Sequence, residues 1–262
     1  MSHLLVTRDG AIATVTLNRP EIRNAFDDAL IAELTRTFTM LGQSPDVRVI
    51  ILAASGKAFC AGADLAWMRR MADYSDAENL ADATALATML RTIHECPCPV
   101  IARVQGDVFA GGMGLVAACD IVVADEAARF CLSEVRLGLI PATIAPYVIA
   151  ALGAHAAQRF FLTAEVFSGP TAARIGFVHE LVTAQELDEA VSRHVNHILS
   201  ASPAAVSACK TLLREVDGRP VDDELVADTA RRIADIRASA QGREGVQSFL
   251  NKTRPSWLNR QA

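Results

Sequence analysis

The sequence predicts an α/β fold in which parallel strands alternate with helices and a helical segment follows at the carboxyl end. Three observations predict it: short apolar runs typical of strands, glycine-rich turns after two of those runs, and helical spacing alone from about residue 183 onward. The alternation of strand, glycine turn, helix and strand implies parallel β/α units with right-handed crossovers. We therefore expect a core over residues 1–200 and a helical region over residues 201–262.

The first fifty residues predict a hairpin, a helix and a buried strand. Asp9-Gly10 is a turn signal between two strand-like runs, and the second run ends before Pro20. Asp27 is placed to begin a helix, because apolar residues follow it at helical spacing, and Gly42 is placed to cap that helix. The run 47–52, which is apolar except for Arg48, predicts a strand buried on both faces.

The remainder of the chain predicts two more strands, a buried helix and a helical tail. Residues 100–104 and 121–124 are strand-like, and the run Gly111-Gly112-Met113-Gly114 opens a short helix that is apolar on every side and should be buried. Four helices are expected at the end, over residues 187–199, 203–213, 222–236 and 242–252.

Composition and charge exclude several classes of protein. A hydrophobic fraction of 51% favours a packed core over disorder. Apolar runs are too short to span a membrane, and the first residues lack the regions of a signal peptide, so we expect a cytoplasmic protein with no membrane partner. The net charge of -5 provides no broad basic surface, so we expect no nucleic-acid partner.

The cysteines, histidines and glycines predict no metal and no bound cofactor. None of the six cysteines forms a Cys-x-x-Cys pair, and Cys96-Pro97-Cys98 is too tight for usual zinc spacing, so free buried thiols are expected. His194 and His197 are three residues apart on a predicted helix without a third ligand, which favours a solvated face. The glycine-rich run 111–114 lacks the spacing of a dinucleotide-binding turn.

Two segments carry the candidate chemistry. The first is Ala58-Phe59-Cys60-Ala61-Gly62-Ala63-Asp64-Leu65, and the second is Gln105-Gly106-Asp107-Val108-Phe109-Ala110-Gly111-Gly112; each lies between a predicted strand and a predicted helix. Small residues permit close backbone approach, and helix amino termini present unpaired N–H groups. One N–H from each segment could hold a single oxyanion. Tight packing at both glycine sites is the alternative.

These segments resemble the two oxyanion motifs of the crotonase (enoyl-CoA hydratase/isomerase) superfamily. Three further parts of the chain match the same family in the same order: Asn18-Arg19-Pro20 with Asn24-Ala25, the stretch 130–141, and Gly245 with Phe249 and Lys252. The resemblance therefore covers nearly the whole chain. It implies a crotonase-like spiral of repeated ββα units whose C-terminal helical region supports trimerisation. It also implies an acyl-CoA substrate, with coenzyme A as part of that substrate and no separate cofactor, in a homotrimer or homohexamer.

The resemblance assigns roles position by position. Ala63 and Gly111 would donate their amides to the thioester oxygen, and Glu134 would exchange a proton with the α-carbon. Its neighbours Phe130, Leu132, Val135 and Leu137 are apolar, which should raise its pKa by desolvation; a surface salt bridge is the alternative. The residues expected along the CoA path are Arg23, Ala25, Ala61, Asp64, Leu65, Gly112, Phe249 and Lys252. Phe249 and Lys252 would reach a CoA held by a neighbouring subunit, and for Lys252 a plain surface lysine is the alternative.

The chain departs from the hydratase pattern at Gly114, where hydratases of the family usually have a second glutamate that helps to activate water. Stretches 62–71, 111–116 and 132–142 resemble methylglutaconyl-CoA and isohexenylglutaconyl-CoA hydratases, which favours a branched glutaconyl-CoA substrate. Arg69, Arg70 or Arg136 would then meet the distal carboxylate. A Δ3,Δ2-enoyl-CoA isomerase that uses one glutamate is a second candidate activity. A non-catalytic acyl-CoA-binding protein is a third, although it would need no buried carboxylate.

Overall fold

The computed structural model describes residues 3–261, with side chains described as far as residue 258, and it is built from a large sheet, a small sheet and surrounding helices. The strands are β1 (Leu4–Asp9), β2 (Ile12–Leu17), β3 (Val49–Ala54), β4 (Val100–Val104), β5 (Asp107–Phe109), β6 (Ile121–Asp125), β7 (Arg129–Cys131), β8 (Phe167–Ser168) and β9 (Glu180–Val182). The helices are α1 (Asp28–Gln43), α2 (Leu65–Met71), α3 (Asp76–His94), α4 (Gly111–Ala117), α5 (Ala145–Leu152), α6 (Ala154–Thr163), α7 (Gly169–Arg174), α8 (Leu187–Ser200), α9 (Pro203–Val216), α10 (Asp223–Ala238) and α11 (Ala240–Asn251). Short 3₁₀ helices cover Pro20–Ile22, Glu134–Leu137 and Ser256–Gln261.

The two sheets are connected by strands that alternate between them. The large sheet has the order β1-β2-β3-β4-β6-β9, with β1 antiparallel to β2 and the other pairs parallel. The small sheet has the order β5-β7-β8, with β5 and β7 parallel. Strands β4 and β6 lie in the large sheet and the strands that directly follow them, β5 and β7, lie in the small one. This repeat accounts for the predicted α/β fold.

The hairpin and α1 follow the prediction, but the end of α1 does not. Asp27 caps α1, because its Oδ1 accepts a hydrogen bond of 2.9 Å from the Leu30 N–H. The prediction that Gly42 caps the helix was wrong, since α1 continues to Gln43 and Ser44 is the cap. A Cβ placed on Gly42 would lie 3.0 Å from Pro97 Cδ, so glycine at this position permits close packing instead.

Helix α4 lies inside the protein, as its all-round apolar sequence predicts. Residues Gly112–Val116 are buried. A Cβ placed on Gly114 would lie 2.2 Å from Ile144 Cγ2, just before α5, and 3.5 Å from Leu90 Cδ2 in α3. Helix α4 therefore packs closely between its neighbours, and this packing fixes the position of its amino terminus at Gly111.

The helical tail is made of α8 to α11. Helix α8 covers one face of the large sheet with Leu187, Val191 and Val195. The following helices leave large apolar side chains uncovered by the described chain, among them Leu213 in α9 and Phe249 in α11, the latter 84% exposed. An exposed apolar surface of this kind is typical of a face that binds another protein surface.

The cysteines and His194 follow the sequence predictions only in part. Five cysteines are free and buried as predicted, whereas Cys209 is free but exposed. His194 is half-buried and its Nε2 lies 2.8 Å from Glu180 Oε2, so only part of the predicted solvated face is correct. Within residues 3–261 no three or more Cys, His, Asp or Glu side chains gather into a metal site, and no helix there is long and apolar enough to cross a membrane.

Candidate active site

Three chain segments run side by side into the candidate site. Cys60 forms a parallel bridge with Val108, and Val108 in turn is the register partner of Phe130 in the small sheet. The Phe109 N–H donates to the Cys60 carbonyl at 2.9 Å, which holds the first two segments together. Three residues beyond Cys60 and Val108 lie Ala63 and Gly111. Because parallel segments in register end at the same edge, these two residues lie at one edge of the three segments.

The Ala63 amide has no hydrogen-bond partner in the described chain because of its parallel bridge with Phe26. The Phe26 N–H donates to the Gly62 carbonyl at 2.8 Å, and the Asp64 N–H donates to the Phe26 carbonyl at 3.0 Å. In a parallel bridge the residue between those two contacts turns its own N–H to the opposite side. The Ala63 N–H accordingly makes no hydrogen bond within the described chain and faces away from Phe26.

The amide of Gly111 is also unpaired, because Gly111 is the first residue of α4 and an amino-terminal N–H has no partner within the helix. Ala110, directly before it, has φ 48° and ψ -124°, a conformation that costs a non-glycine residue ~1–3 kcal/mol. The Ala110 N–H donates to the Cys131 carbonyl at 2.8 Å, which holds the turn against β7. The direction of the Gly111 N–H is thus set by a strained but anchored turn.

Both segments require glycine where they approach each other. A Cβ placed on Gly62 would lie 2.9 Å from Ala110 Cβ, and one placed on Gly112 would lie 2.8 Å from the Cys60 carbonyl oxygen. Contacts this short exclude any side chain at either position. The tight-packing alternative is therefore correct, and the same packing holds the segments that carry the Ala63 and Gly111 amides side by side. Burial raises the pKa of the Cys60 thiol to about 12, so this cysteine stays protonated at neutral pH.

Glu134 follows β7 by three residues and begins a 3₁₀ helix. Its Oε2 is buried without a hydrogen-bond partner among the described residues, and no ion pair to it occurs there. Desolvation by burial raises the pKa of this carboxyl, and a backbone hydrogen bond opposes the rise. The salt-bridge alternative therefore does not fit Glu134.

The predicted apolar environment of Glu134 is only partly correct. Phe130 and Leu132 are fully buried, but Leu137 is 62% exposed and does not help to enclose the carboxyl. The 3₁₀ helix that contains Leu137 turns this side chain outward. The local sequence did not indicate this orientation.

The loop over residues 18–25 anchors the first oxyanion segment. Asn24 is completely buried, and its Nδ2 donates to the Ser55 carbonyl at 2.8 Å and to the Ala58 carbonyl at 2.9 Å. The Ala61 N–H donates to the Arg23 carbonyl at 3.0 Å. The sequence indicates Asn24 only as part of a motif and gives no sign of this anchoring role. Its positive φ of 54°, which asparagine tolerates better than most residues, is the structural reason for its residue type.

Among the residues expected along the CoA path, the structure groups some and separates others. Arg23, Ala25 and Ala61 lie together through the Ala61–Arg23 hydrogen bond, and Leu65 is exposed beside them at the start of α2. Phe249 and Lys252 lie at the end of α11, which packs on α9 and α10, and both are exposed. That these residues bind CoA stays a prediction.

Asp64 uses its carboxylate within the fold. Its Oδ1 accepts from the Ala66 N–H at 2.7 Å and so caps α2, while its Oδ2 pairs with Arg19 at 3.3 Å. Arg19 also pairs with Asp27 at 2.8 Å, so one guanidinium connects the caps of α1 and α2. A contact from Asp64 to CoA would have to share this carboxylate.

The three arginines proposed for a distal carboxylate differ in their surroundings. Arg70 pairs with Asp28 at 2.5 Å on the surface, and Arg136 donates to the Ala164 carbonyl at 2.5 Å. Arg69 is exposed and makes no hydrogen bond or ion pair within the described residues. Arg69 could thus meet a substrate carboxylate without breaking an existing contact.

The candidate site is identified by its unpaired backbone groups and by Glu134. Two surface concavities lie elsewhere: one is lined by residues between 42 and 48, 97 and 99, and 198 and 207, and the other by residues of α5 and α6. Neither includes Ala63, Gly111 or Glu134. The unpaired polar groups therefore locate the chemistry more directly than the surface shape does.

Comparison with known proteins agrees with this arrangement. The family model described as Enoyl-CoA hydratase/isomerase matches residues 7–260. A crystal structure of an enoyl-CoA hydratase from Shewanella pealeana has 39% sequence identity and a TM-score of 0.95, covering 98% of this chain and 96% of that one. A Legionella pneumophila structure described as an enoyl CoA hydratase/isomerase (crotonase) has 43% identity and a TM-score of 0.92, covering 98% and 99% of the two chains. The 2,3-dehydroadipyl-CoA hydratase of Escherichia coli is 30% identical over 99% of this chain and 100% of its own. The expected fold is confirmed, and the chain belongs to the enoyl-CoA hydratase/isomerase family, the crotonase superfamily of enzymes that act on acyl-CoA thioesters.

Proposed function

We propose that this enzyme hydrates an α,β-unsaturated acyl-CoA thioester, and catalyses the reverse dehydration, through an enolate whose oxygen is bound by the Ala63 and Gly111 amides. One observation carries the proposal: within the described chain, two unpaired amides and a carboxyl with one buried, unpartnered oxygen follow the ends of three parallel segments. Polar groups left unsatisfied inside a protein are costly, so a site that keeps three of them favours a ligand that uses them.

The proposed chemistry needs only these groups. The oxygen of water bonds to the β-carbon, the electrons of the double bond move to the thioester oxygen, and the two amides stabilise the resulting enolate by ~3 kcal/mol each. Glu134 takes the proton that water releases and delivers it to the α-carbon, so one carboxyl serves first as base and then as acid. Its raised pKa brings it closer to the range in which both steps proceed at neutral pH. Coenzyme A enters as part of the substrate, and no separate cofactor takes part.

We propose a branched glutaconyl-CoA as the substrate, of the 3-methylglutaconyl type. The space beside Gly114 is filled by Ile144, so a second carboxylate could not be held there without rearrangement. The exposed Arg69 is free to pair with a distal carboxylate. The name of the E. coli relative, 2,3-dehydroadipyl-CoA hydratase, also describes a thioester with a second carboxyl group.

The second candidate is a Δ3,Δ2-enoyl-CoA isomerase. The same observation at Gly114 favours it, because moving a double bond requires one carboxyl to carry a proton from one carbon to another and requires no activated water. A non-catalytic acyl-CoA-binding protein is less well supported, because binding alone gives no reason to keep Glu134 buried and unpaired.

Steady-state rates on a panel of thioesters test the proposal. The panel contains 3-methylglutaconyl-CoA, crotonyl-CoA and a 3-enoyl-CoA, and the ultraviolet absorbance of the conjugated thioester reports each reaction. We expect the fastest hydration with 3-methylglutaconyl-CoA. Conversion of the 3-enoyl-CoA alone would assign the isomerase instead, and the absence of turnover on every thioester would overturn the catalytic proposal.

The distal-carboxylate contact has its own test. We expect Arg69→Gln to lower kcat/KM for 3-methylglutaconyl-CoA while leaving crotonyl-CoA unaffected, with Arg91→Gln on the exposed surface of α3 as a matched control. If Arg69→Gln and the corresponding changes at Arg70 and Arg136 all leave the preference between these two thioesters unaltered, the proposed contact is wrong.

We also propose a trimer or a dimer of trimers assembled through the tail, with Phe249 and Lys252 contacting a neighbour's CoA. The apolar side chains left exposed on α9 to α11 support the assembly. A monomer in sedimentation equilibrium of the full chain would contradict the proposed assembly. Lys252→Ala should raise KM for acyl-CoA and leave kcat unchanged.

A further inference from the structure

We infer that Phe26 is a positioning residue that holds the Ala63 and Gly111 amides at a fixed separation. The inference rests on the proposed function, since it assigns Phe26 to the site that binds the thioester oxygen. The main chain of Phe26 contacts the first oxyanion segment, and its side chain contacts the second.

The main chain of Phe26 contacts the first segment on both sides of Ala63. Its N–H donates to the Gly62 carbonyl at 2.8 Å, and its carbonyl accepts from the Asp64 N–H at 3.0 Å. These two bonds fix the peptide planes before and after Ala63, and with them the direction of its N–H. Any shift of the Phe26 backbone would therefore turn the Ala63 amide.

The side chain of Phe26 contacts the second segment at Gly111. A Cβ placed on Gly111 would lie 2.2 Å from Phe26 Cζ and 3.0 Å from Cε1, so the tip of the ring packs directly against the glycine. No other residue type at position 111 would leave room for the ring. The length of one phenylalanine side chain consequently sets the spacing between the segment that carries Ala63 and the turn that carries Gly111.

The ring itself is held in place from behind. Phe26 is 2% exposed, and its ring centroid lies 6.0 Å from that of Trp67, which is also buried. The Trp67 Nε1 donates to Asp82 Oδ1 at 3.0 Å, which fixes the indole between α2 and α3. A close-packed ring with immobilised neighbours can transmit position, because it has no free volume in which to move.

An ordinary core role for Phe26 is the competing explanation, and Phe38 provides the matched control. Phe38 lies in α1, is 1% exposed and belongs to the same hydrophobic core, whereas the atoms nearest to a Cβ on Gly111 and the hydrogen bonds on either side of Ala63 all belong to Phe26. Phe26→Leu and Phe38→Leu remove comparable buried volume, so both should lose stability to a similar degree. Only Phe26→Leu removes the ring tip that packs against Gly111.

The experiment compares kcat and KM of the two variants on the best substrate of the wild-type protein, together with the rate at which a saturated acyl-CoA exchanges its α-protons in deuterated water. We expect Phe26→Leu to lower kcat and the exchange rate by ~10- to 100-fold with KM nearly unchanged, because misplacement of a catalytic donor by about 1 Å has effects of this size. Phe38→Leu should leave both rates near the wild-type values. Phe26→Met, whose unbranched side chain reaches further than that of leucine, should restore part of the loss and also serves if Phe26→Leu fails to fold.

Crystal structures of the wild type and of the same variants separate this inference from the proposed function. We expect the distance between the Ala63 and Gly111 amide nitrogens to change by more than ~0.5 Å in Phe26→Leu and not in Phe38→Leu, whether or not the protein turns over the chosen thioesters. An inactive wild type would defeat the proposed function alone. An unchanged amide separation, or equal losses of kcat in Phe26→Leu and Phe38→Leu, would overturn the role of Phe26.

Discussion

The two ends of helix α4 handle buried polar groups in opposite ways. At the amino-terminal end the Gly111 amide has no partner in the described chain, and the buried Oε2 of Glu134, which the site also uses, has none there either. Beyond the carboxyl-terminal end, Asp120 Oδ2 accepts from the Val100 N–H at 2.7 Å and from Lys210 Nζ at 2.5 Å, and Lys210 is 7% exposed. The Lys210 ammonium also donates to the Cys98 carbonyl at 3.4 Å. Only about 10 Å of helix separates the two arrangements.

The difference indicates what each end is for. A buried charge whose partners belong to the same chain contributes to the fold, and removing one partner leaves the other charge uncompensated. A buried carboxyl without a partner lowers the stability of the free protein and is kept only where a ligand supplies what is missing. The sharpest test of this comparison is to change one side chain at each end and to follow activity and stability separately.

The largest effect is expected for Glu134→Gln. The amide keeps the size of the side chain but cannot carry the proton, so turnover should fall by ~10²–10⁴-fold while the fold is retained. Steady-state kinetics on the best thioester measure the loss, and thermal unfolding serves as the control for structure. Near-normal turnover in this variant would show that Glu134 is not the proton carrier.

The opposite end should show the reverse pattern. Lys210→Met removes the buried ammonium and leaves Asp120 without its charged partner, which should destabilise the protein by about 3 kcal/mol while kcat stays near the wild-type value. Urea unfolding and kinetics below the unfolding transition measure the two quantities. The double variant Asp120→Asn with Lys210→Met should recover part of the stability. A large loss of kcat at full folding would break the comparison, because it would make this end part of the site.

The middle of α4 gives the next test. Gly114→Ala places a Cβ 2.2 Å from Ile144 Cγ2, and overpacking of this kind costs ~1–3 kcal/mol. Because both residues meet at one contact, Gly114→Ala combined with Ile144→Ala should be less destabilised than the sum of the single changes. Urea unfolding of the three variants measures the coupling. Strict additivity would mean that Ile144 does not occupy the space beside Gly114.

Much of the fold followed from sequence patterns, whereas the site needed more. The hairpin, the strand over residues 100–104 and the buried helix α4 were predicted from apolar spacing and turn residues, because these depend on local chemistry. Ala63, Gly111 and Glu134 were identified through the family resemblance, since unpaired amides leave no pattern in a single sequence. Gly42 and Leu137 were misread because their roles depend on Pro97 and on the orientation of a 3₁₀ helix.

The smallest effect is a pH dependence of stability that also comes from Glu134. Burial raises the pKa of this carboxyl in the folded protein above its ordinary value of 4.5, so the folded state holds the proton to higher pH than the unfolded state does. Stability should therefore fall as pH rises from about 4.5 through the folded pKa, and stay lower above it. Glu134→Gln lacks this loss, so it should match the wild type at acid pH and exceed it at neutral pH by at most ~1 kcal/mol, because the carboxyl is not fully enclosed. Urea unfolding of both proteins between pH 4 and 8 measures the difference. A difference that grows toward acid pH would mean that Glu134 has a stabilising partner after all, and the contrast between the two ends of α4 would disappear.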